Sequence, residues 1–181
     1  MTDWKDIQVL ALDVDGVMTR GYLTALSDGT LLRTYNSKDT FALRMAAMKG
    51  LRIAIVSGSR GQAIERRFLA LGVRPEDLCL NSHDKGRDLS DFCERNGYEL
   101  SQVAFMGDDL PDLPALKLAG ISICPSDAVP EVLEIVDHVT EERGGECSVR
   151  SVVKKILLAK GLWEFDPSQY KSVFSVTDVS K

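Results

Sequence analysis

The chain has 181 residues, 44% of them hydrophobic, which is enough for one full core and argues for one domain. Its net charge of −5 and the lack of any Lys/Arg run count against nucleic acid as a partner. No stretch approaches the roughly 20 apolar residues of a membrane span, and "MTDWKDIQ" has no charged-then-apolar signal pattern, so a cytoplasmic protein without a membrane partner is expected.

In chain order, "VLAL" (9–12) predicts a buried strand that runs straight into Asp13 and Asp15, with Gly16 next. Residues 21–36, "GYLTALSDGTLLRTYN", predict two strands around Asp28-Gly29, a hairpin signal. A helix over 38–49 stops at Gly50, and its stripe of Phe41, Met45 and Met48 reads as core. "RIAIVSG" (52–58) is a second core strand, followed by a helix over 61–71 that stops at Gly72. "LCLN" (78–81) is a weak third strand, and a helix over 85–96 stops at Gly97, with Asp84 as its cap. "VAFMGDD" (103–109) is a fourth strand, residues 112–119 a helix, and "ISIC" (121–124) a fifth strand. A last helix covers 148–160, and a polar tail follows Trp163.

Short apolar runs alternating with amphipathic ones predict an α/β fold, a parallel sheet flanked by helices. The boundaries are one domain over 1–163, a hairpin inserted at 21–36 after the first strand, and a tail over 164–181 that is extended or partly disordered. The hairpin projects from the carboxyl end of its strand, the end where open α/β sheets bind ligands. The four cysteines (Cys79, Cys93, Cys124, Cys147) form no C-x-x-C pair and fit a reducing cytosol. His83 and His138 are too few for a histidine metal site and read as surface or strand-edge residues.

The acidic residues carry the chemistry. If the first and fourth strands are neighbours, Asp13 and Asp15 share a crevice with Asp108, Asp109 and Asp112 of "GDDLPD". Carboxylates at this density raise each other's pKa and oppose folding, and a hard divalent cation with oxygen ligands is the usual remedy. Mg²⁺ suits few carboxylates and a phosphate. Ser57 and Gly58, at the end of the second strand, can hold phosphate oxygens, and Lys85 adds a positive charge. Such a crevice fits a phosphate monoester. Asp13 can then attack phosphorus without a base to deprotonate it, and Asp15 can serve as acid and then base. Read singly, Ser57 is a turn residue, Lys85 a solvated helix-start lysine, Asp109 an orienting group and Asp112 a helix N-terminal residue favoured by the dipole. Their order in the chain favours function.

These residues resemble the haloacid dehalogenase-like superfamily of aspartate-nucleophile phosphatases, whose four motifs are matched in order by "DVDGV", "SG", Lys85 and "GDDLPD". The resemblance implies a Rossmann-like sheet, Asp13 as nucleophile, Asp15 as acid–base group, and Mg²⁺ held by Asp13, the Asp15 carbonyl and Asp108. The hairpin cap, "YNSKDTFAL", "CPSDAVPEV" and "ERGGECSVRSVV" narrow the likeness to the small-cap 3-deoxy-D-manno-octulosonate 8-phosphate phosphatases of lipopolysaccharide biosynthesis, over about residues 7–163. That family implies a sugar-acid phosphate substrate and a homotetramer in which each neighbour helps close the site.

Two departures stand out. The chain has Asn36-Ser-Lys-Asp39-Thr40 where the family often has Asn-x-x-Asp-Gly, and Gly144-Gly145-Glu146-Cys147 where it often has Gly-Gly-Arg-Gly. Glu146 points to the branch that hydrolyses nine-carbon nonulosonate 9-phosphates. Ala70, where that branch can carry lysine, points back to the eight-carbon substrate. Arg60 and Arg67 of "RGQAIERRFLALG" lie on nearly one helical face. They are the candidate contacts for the substrate carboxylate, with Arg67 placed by the resemblance near the substrate of its own or a neighbouring chain. A phospho-receiver domain puts its phosphorylated aspartate alone on a later strand, unlike this chain. A catalytically silent regulatory module is opposed by the intact Asp13, Asp15, Lys85 and Asp108.

Overall fold

The structure, a computed structural model, describes residues 2–169. Six parallel strands form the central sheet: β1 (Val9–Leu12), β4 (Arg52–Ser57), β5 (Leu78–Leu80), β6 (Val103–Met106), β7 (Ile121–Cys124) and β8 (His138–Val139). Their order is β5-β4-β1-β6-β7-β8, every pairing parallel. From β1 the chain builds outward to one side through β4 and β5. It then returns to β1's other flank with β6. The crevice beyond the strand ends at that reversal is where this topology binds ligands.

Alternate residues of each strand face opposite layers. Leu10, Leu12, Ile53, Ile55 and Met106 pack beneath helices α1 (Ser37–Met48), α2 (Gln62–Leu69) and α6 (Ser148–Ala159). Val9, Ala11, Val56 and Phe105 face α3 (Lys85–Asn96), α4 (Leu113–Leu118) and the one-turn α5 (Pro130–Leu133). β1 is buried at every position, as a strand covered on both faces must be.

The hairpin after β1 is present but shorter than expected: only β2 (Thr24–Ala25) and β3 (Leu31–Leu32) pair, antiparallel, and both are exposed. The turn sits where expected, with Gly29 at a φ of 84° and Asp28 accepting from the Thr30 N–H. Asp84 caps α3 as expected. Of the stripe on α1, Met45 is buried and Phe41 half-buried, but Met48 at the last turn is exposed. The tail expected over 164–181 is described only to residue 169. There Phe165 packs edge-on against Phe41 and a 3₁₀ turn covers Pro167–Gln169; the remainder lies outside the described residues. Among the described residues no helix is long and apolar enough to cross a membrane.

Candidate active site

β1 and β6 pair with Leu12 opposite Met106, so both strands end at the same level. The Asp13 N–H extends the ladder by one bond, to the Met106 carbonyl at 3.0 Å. Asp13 and Asp108 are thereby delivered side by side. Gly16 lets the two acidic loops pass: its φ is 101°, and a Cβ there would overlap the Asp108 carboxylate.

Carboxylate oxygens of Asp13, Asp108 and Asp112 all lie within 4.8 Å of one another. Lys85, at the first position of α3, reaches Asp13 Oδ1 at 2.9 Å and Asp112 Oδ1 at 2.5 Å. Asp112 is more than a helix N-terminal residue. It is 1% exposed, and its second oxygen accepts from the backbone N–H groups of Asp108 and Asp109. It thus shapes the loop that carries Asp108. Asp109 is exposed and caps the following 3₁₀ turn through the Leu110 N–H.

Three carboxylates face one ammonium here, and the imbalance shows in their protonation. Burial, with Asp112 beside it, pushes Asp13 up to about 6. Burial, with Asp13 and Asp112 adding to it, pushes Asp108 up to about 8. Burial disfavours the charged form of Lys85, but the two carboxylates outweigh it and its pKa is raised. Asp108 Oδ1 is buried with no hydrogen-bond partner. An orphaned buried oxygen in an oxygen-only, net-negative cluster fits a small hard cation such as Mg²⁺.

Asp15 turns away from this cluster. Arg33, just past β3, grips it with two bonds, Nε to Oδ1 at 2.7 Å and Nη2 to Oδ2 at 2.8 Å. The Ser59 hydroxyl donates to Asp15 Oδ2 at 2.6 Å. Burial alone would raise the Asp15 pKa, but Arg33 and Ser59 hold it below the usual carboxylate range.

Asp13, Asp15, Ser57, Gly58 and Lys85 line one open pocket of about 700 Å³, together with Ser59, Ser82, His83, Asp84, Pro111 and Pro114. Ser57 is buried at the end of β4, where its hydroxyl accepts from the Ser59 N–H. His83, expected to be an ordinary surface residue, stands at the pocket rim two positions before Lys85. Ser59 and Arg33 were not singled out in the sequence either. Ser59 lies two residues beyond Ser57, and Arg33's only sequence signal is a cation at the hairpin's exit.

Arg60 and Arg67 are not among the residues that line this pocket, and the helical face they were expected to share is not formed. α2 begins at Gln62, so Arg60 lies in the loop, and the chain bends at Gly61, whose φ is 123°. The two arginines therefore do not share a helical face. Arg67 instead spreads its guanidinium over the Tyr35 ring at the hairpin's base, 5.5 Å from the centroid.

The two departures noted in the sequence meet in space. The Asn36 amide donates to the Gly145 carbonyl at 3.2 Å, and Asp39 accepts from the Cys147 and Arg150 N–H groups at the start of α6. Cys147 has a φ of 81°, the left-handed region that favours glycine. Glu146 does not present a bare charge: it pairs with Arg20.

The haloacid dehalogenase-like hydrolase family pattern matches residues 76–145. The 3-deoxy-D-manno-octulosonate 8-phosphate phosphatase of Salmonella typhi is 34% identical over 161 residues, covering 89% of this chain and 85% of its own. The Moraxella catarrhalis phosphatase of the same name, solved with magnesium, phosphate and KDO, superposes with a TM-score of 0.85 at 30% identity, covering 94% of this chain and 95% of that one. The cobalt-bound Haemophilus influenzae phosphatase gives a TM-score of 0.86 at 30% identity over 92% of this chain and 96% of that one. The chain belongs to the haloacid dehalogenase-like hydrolases, in the family that contains the 3-deoxy-D-manno-octulosonate 8-phosphate phosphatases.

Proposed function

We propose that this chain is a Mg²⁺-dependent phosphatase that hydrolyses 3-deoxy-D-manno-octulosonate 8-phosphate to the free sugar acid and phosphate, as its relatives' names describe for them. The observation that carries the chemistry is Asp13, buried at a strand end and held 2.9 Å from Lys85 in a pocket that also contains Ser57 and Gly58.

In this reading Asp13 attacks phosphorus, and the bond from phosphorus to the sugar oxygen breaks, leaving an aspartyl phosphate. Lys85 offsets the repulsion between carboxylate and phosphate, and Ser57 and the Gly58 N–H hold phosphoryl oxygens. Asp15, which Arg33 and Ser59 hold ionised at rest, takes up a proton as the anionic phosphate binds beside it, gives it to the departing sugar oxygen, then takes one from the water that attacks the aspartyl phosphate. Asp13, Asp108 and the Asp15 carbonyl would hold the Mg²⁺, with Asp112 fixing Lys85 and the Asp108 loop. The cation supplies charge neutralisation at the phosphoryl group.

The nine-carbon alternative rested on Glu146. That hint is a likeness of Gly144-Gly145-Glu146 to the nine-carbon branch, whereas relatives matched over most of the chain are named for the eight-carbon substrate, which is favoured. The assembly we propose is a homotetramer. The hairpin exposes Tyr22 at 79% and also Leu23, Leu26, Leu31 and Leu32, and it is too short to cover a sugar phosphate alone. A neighbouring chain on these side chains would close the site to water. A cytosolic location fits four free cysteines.

Three outcomes test this reading. In a panel of sugar phosphates, the eight-carbon 8-phosphate gives the highest kcat/KM, and Asp13→Asn loses several orders of magnitude while keeping its fold; faster turnover of a nine-carbon 9-phosphate moves the assignment to that branch. Light scattering gives a tetramer, whereas a fully active monomer refutes the shared lid. The third concerns pH. Asp13 and Asp108 have pKa values of about 6 and about 8 when folded, above the ordinary carboxylate value of 3.8. They bind more protons folded than unfolded, so without metal their contribution to stability falls as pH rises from about 4 to about 8. Mg²⁺ must displace the Asp108 proton, so it binds more tightly, and raises Tm more, at about pH 8.5 than at about pH 6. An equal Tm gain at both values contradicts the cluster as its site.

A further inference from the structure

We propose that Arg33 is a positioning residue for the proton-transfer step, the one that ties the hairpin to Asp15. This rests on the reading of Asp15 as the acid–base group.

Beyond its base, where Tyr35 and Asn36 make contacts, the hairpin has little else among the described residues to fix it. Its strands pair over two residues each and are exposed. The neighbours of Arg33 in sequence, Leu31 and Leu32, are 44% and 50% exposed, whereas the Arg33 side chain is 8% exposed. A guanidinium buried at the end of an exposed ribbon has been drawn into a site. There it makes a fork of two bonds to Asp15 and a third from Nη2 to the Ser59 hydroxyl at 2.8 Å. Ser59 in turn donates to the same Asp15 oxygen. Three segments, the end of β1, the exit of β3 and the loop after β4, thus converge on one carboxylate.

A bidentate fork fixes both the position of a carboxylate and the plane in which it lies. Ser59 and Thr19 also bond Asp15, but among the described residues only the Arg33 fork engages both of its oxygens. It lies past the end of β1, next to Gly16, and its backbone is not in the sheet. Proton transfer requires placement within hydrogen-bond reach of the leaving oxygen, and small misplacements are costly. Because the fork comes from the hairpin, the same contact couples the ribbon's position to the readiness of Asp15. Lysine could supply the charge but not the plane.

The test separates leaving groups. A sugar alkoxide needs a proton to depart; p-nitrophenolate does not. Rapid quench measures phosphoryl transfer from 3-deoxy-D-manno-octulosonate 8-phosphate and from p-nitrophenyl phosphate in wild type, Arg33→Ala, Arg33→Lys and Asp15→Asn. Arg33→Ala is expected to slow transfer from the sugar phosphate by on the order of a hundredfold. It should slow the nitrophenyl ester by less than a tenth of that factor, with Arg33→Lys in between. Asp15→Asn should show the same asymmetry. Equal slowing of both esters by Arg33→Ala, beside an asymmetric Asp15→Asn, overturns the role of Arg33 alone. A symmetric loss in Asp15→Asn overturns the reading of Asp15 and this inference with it. Faster sugar-phosphate turnover in Arg33→Ala would make the fork a restraint rather than a support, and also refutes the proposal.

Discussion

The rest of the structure depends on one electrostatic imbalance: three carboxylates, Asp13, Asp108 and Asp112, gathered around a single ammonium, Lys85. Burying charge is costly unless it is paired, and the excess negative charge here is carried by a rigid sheet end that cannot relax away from it. The fold answers in three ways. Lys85 enters from the first residue of α3, Asp112 gives its second oxygen to two backbone N–H groups, and burial with Asp13 and Asp112 nearby pushes Asp108 up to about 8 when no cation is bound. A cation and a phosphate together would complete the balance. The repulsion among these carboxylates and their chemical use are thus two sides of one arrangement.

Backbone register makes that arrangement possible. Parallel pairing of β1 with β6 brings Asp13 and Asp108 to one level, although they are far apart in sequence. Gly16 then permits an approach that no side chain would allow. A second close approach supports it from outside, where Gly144 packs against the Gly16 carbonyl so tightly that a Cβ could not fit. The glycine-rich segment before α6 therefore buttresses the loop that carries Asp15 and Gly16, and Asn36 and Asp39 fasten that segment to the start of α1.

Much of this was legible in the sequence, and the reasons are physical. Long apolar runs and glycine stops located β1, β7 and α3 at their observed bounds, because burial on both faces of a sheet leaves a continuous signal. β8 and α5 went unread. His138–Val139 is two residues long and borders Asp137, while Pro130–Leu133 is a single turn, so neither has a period to detect. The hairpin's turn was readable from Asp28-Gly29, but the length of its strands was not, since no core dictates where pairing stops. That Asp13, Asp15, Ser57, Gly58 and Lys85 share one pocket was legible because each sits at or just past the end of an element, and element ends are visible. Arg33 and Ser59 were not, because their importance lies in a contact between segments. Arg60 and Arg67 were misplaced for the same reason: a bend at Gly61 took Arg60 off the helix on which their shared face depended.

The account stands or falls on Asp13 as the atom donor to phosphorus. Asp15→Asn lacks the base for the second half-reaction and should trap the covalent state. Acid quench of that variant with p-nitrophenyl phosphate radiolabelled in its phosphate, whose leaving group needs no proton, followed by peptide mapping, is predicted to place one phosphoryl group on the peptide containing Asp13. Sustained phosphate release with no label retained on the protein, or label on any other residue, would contradict it.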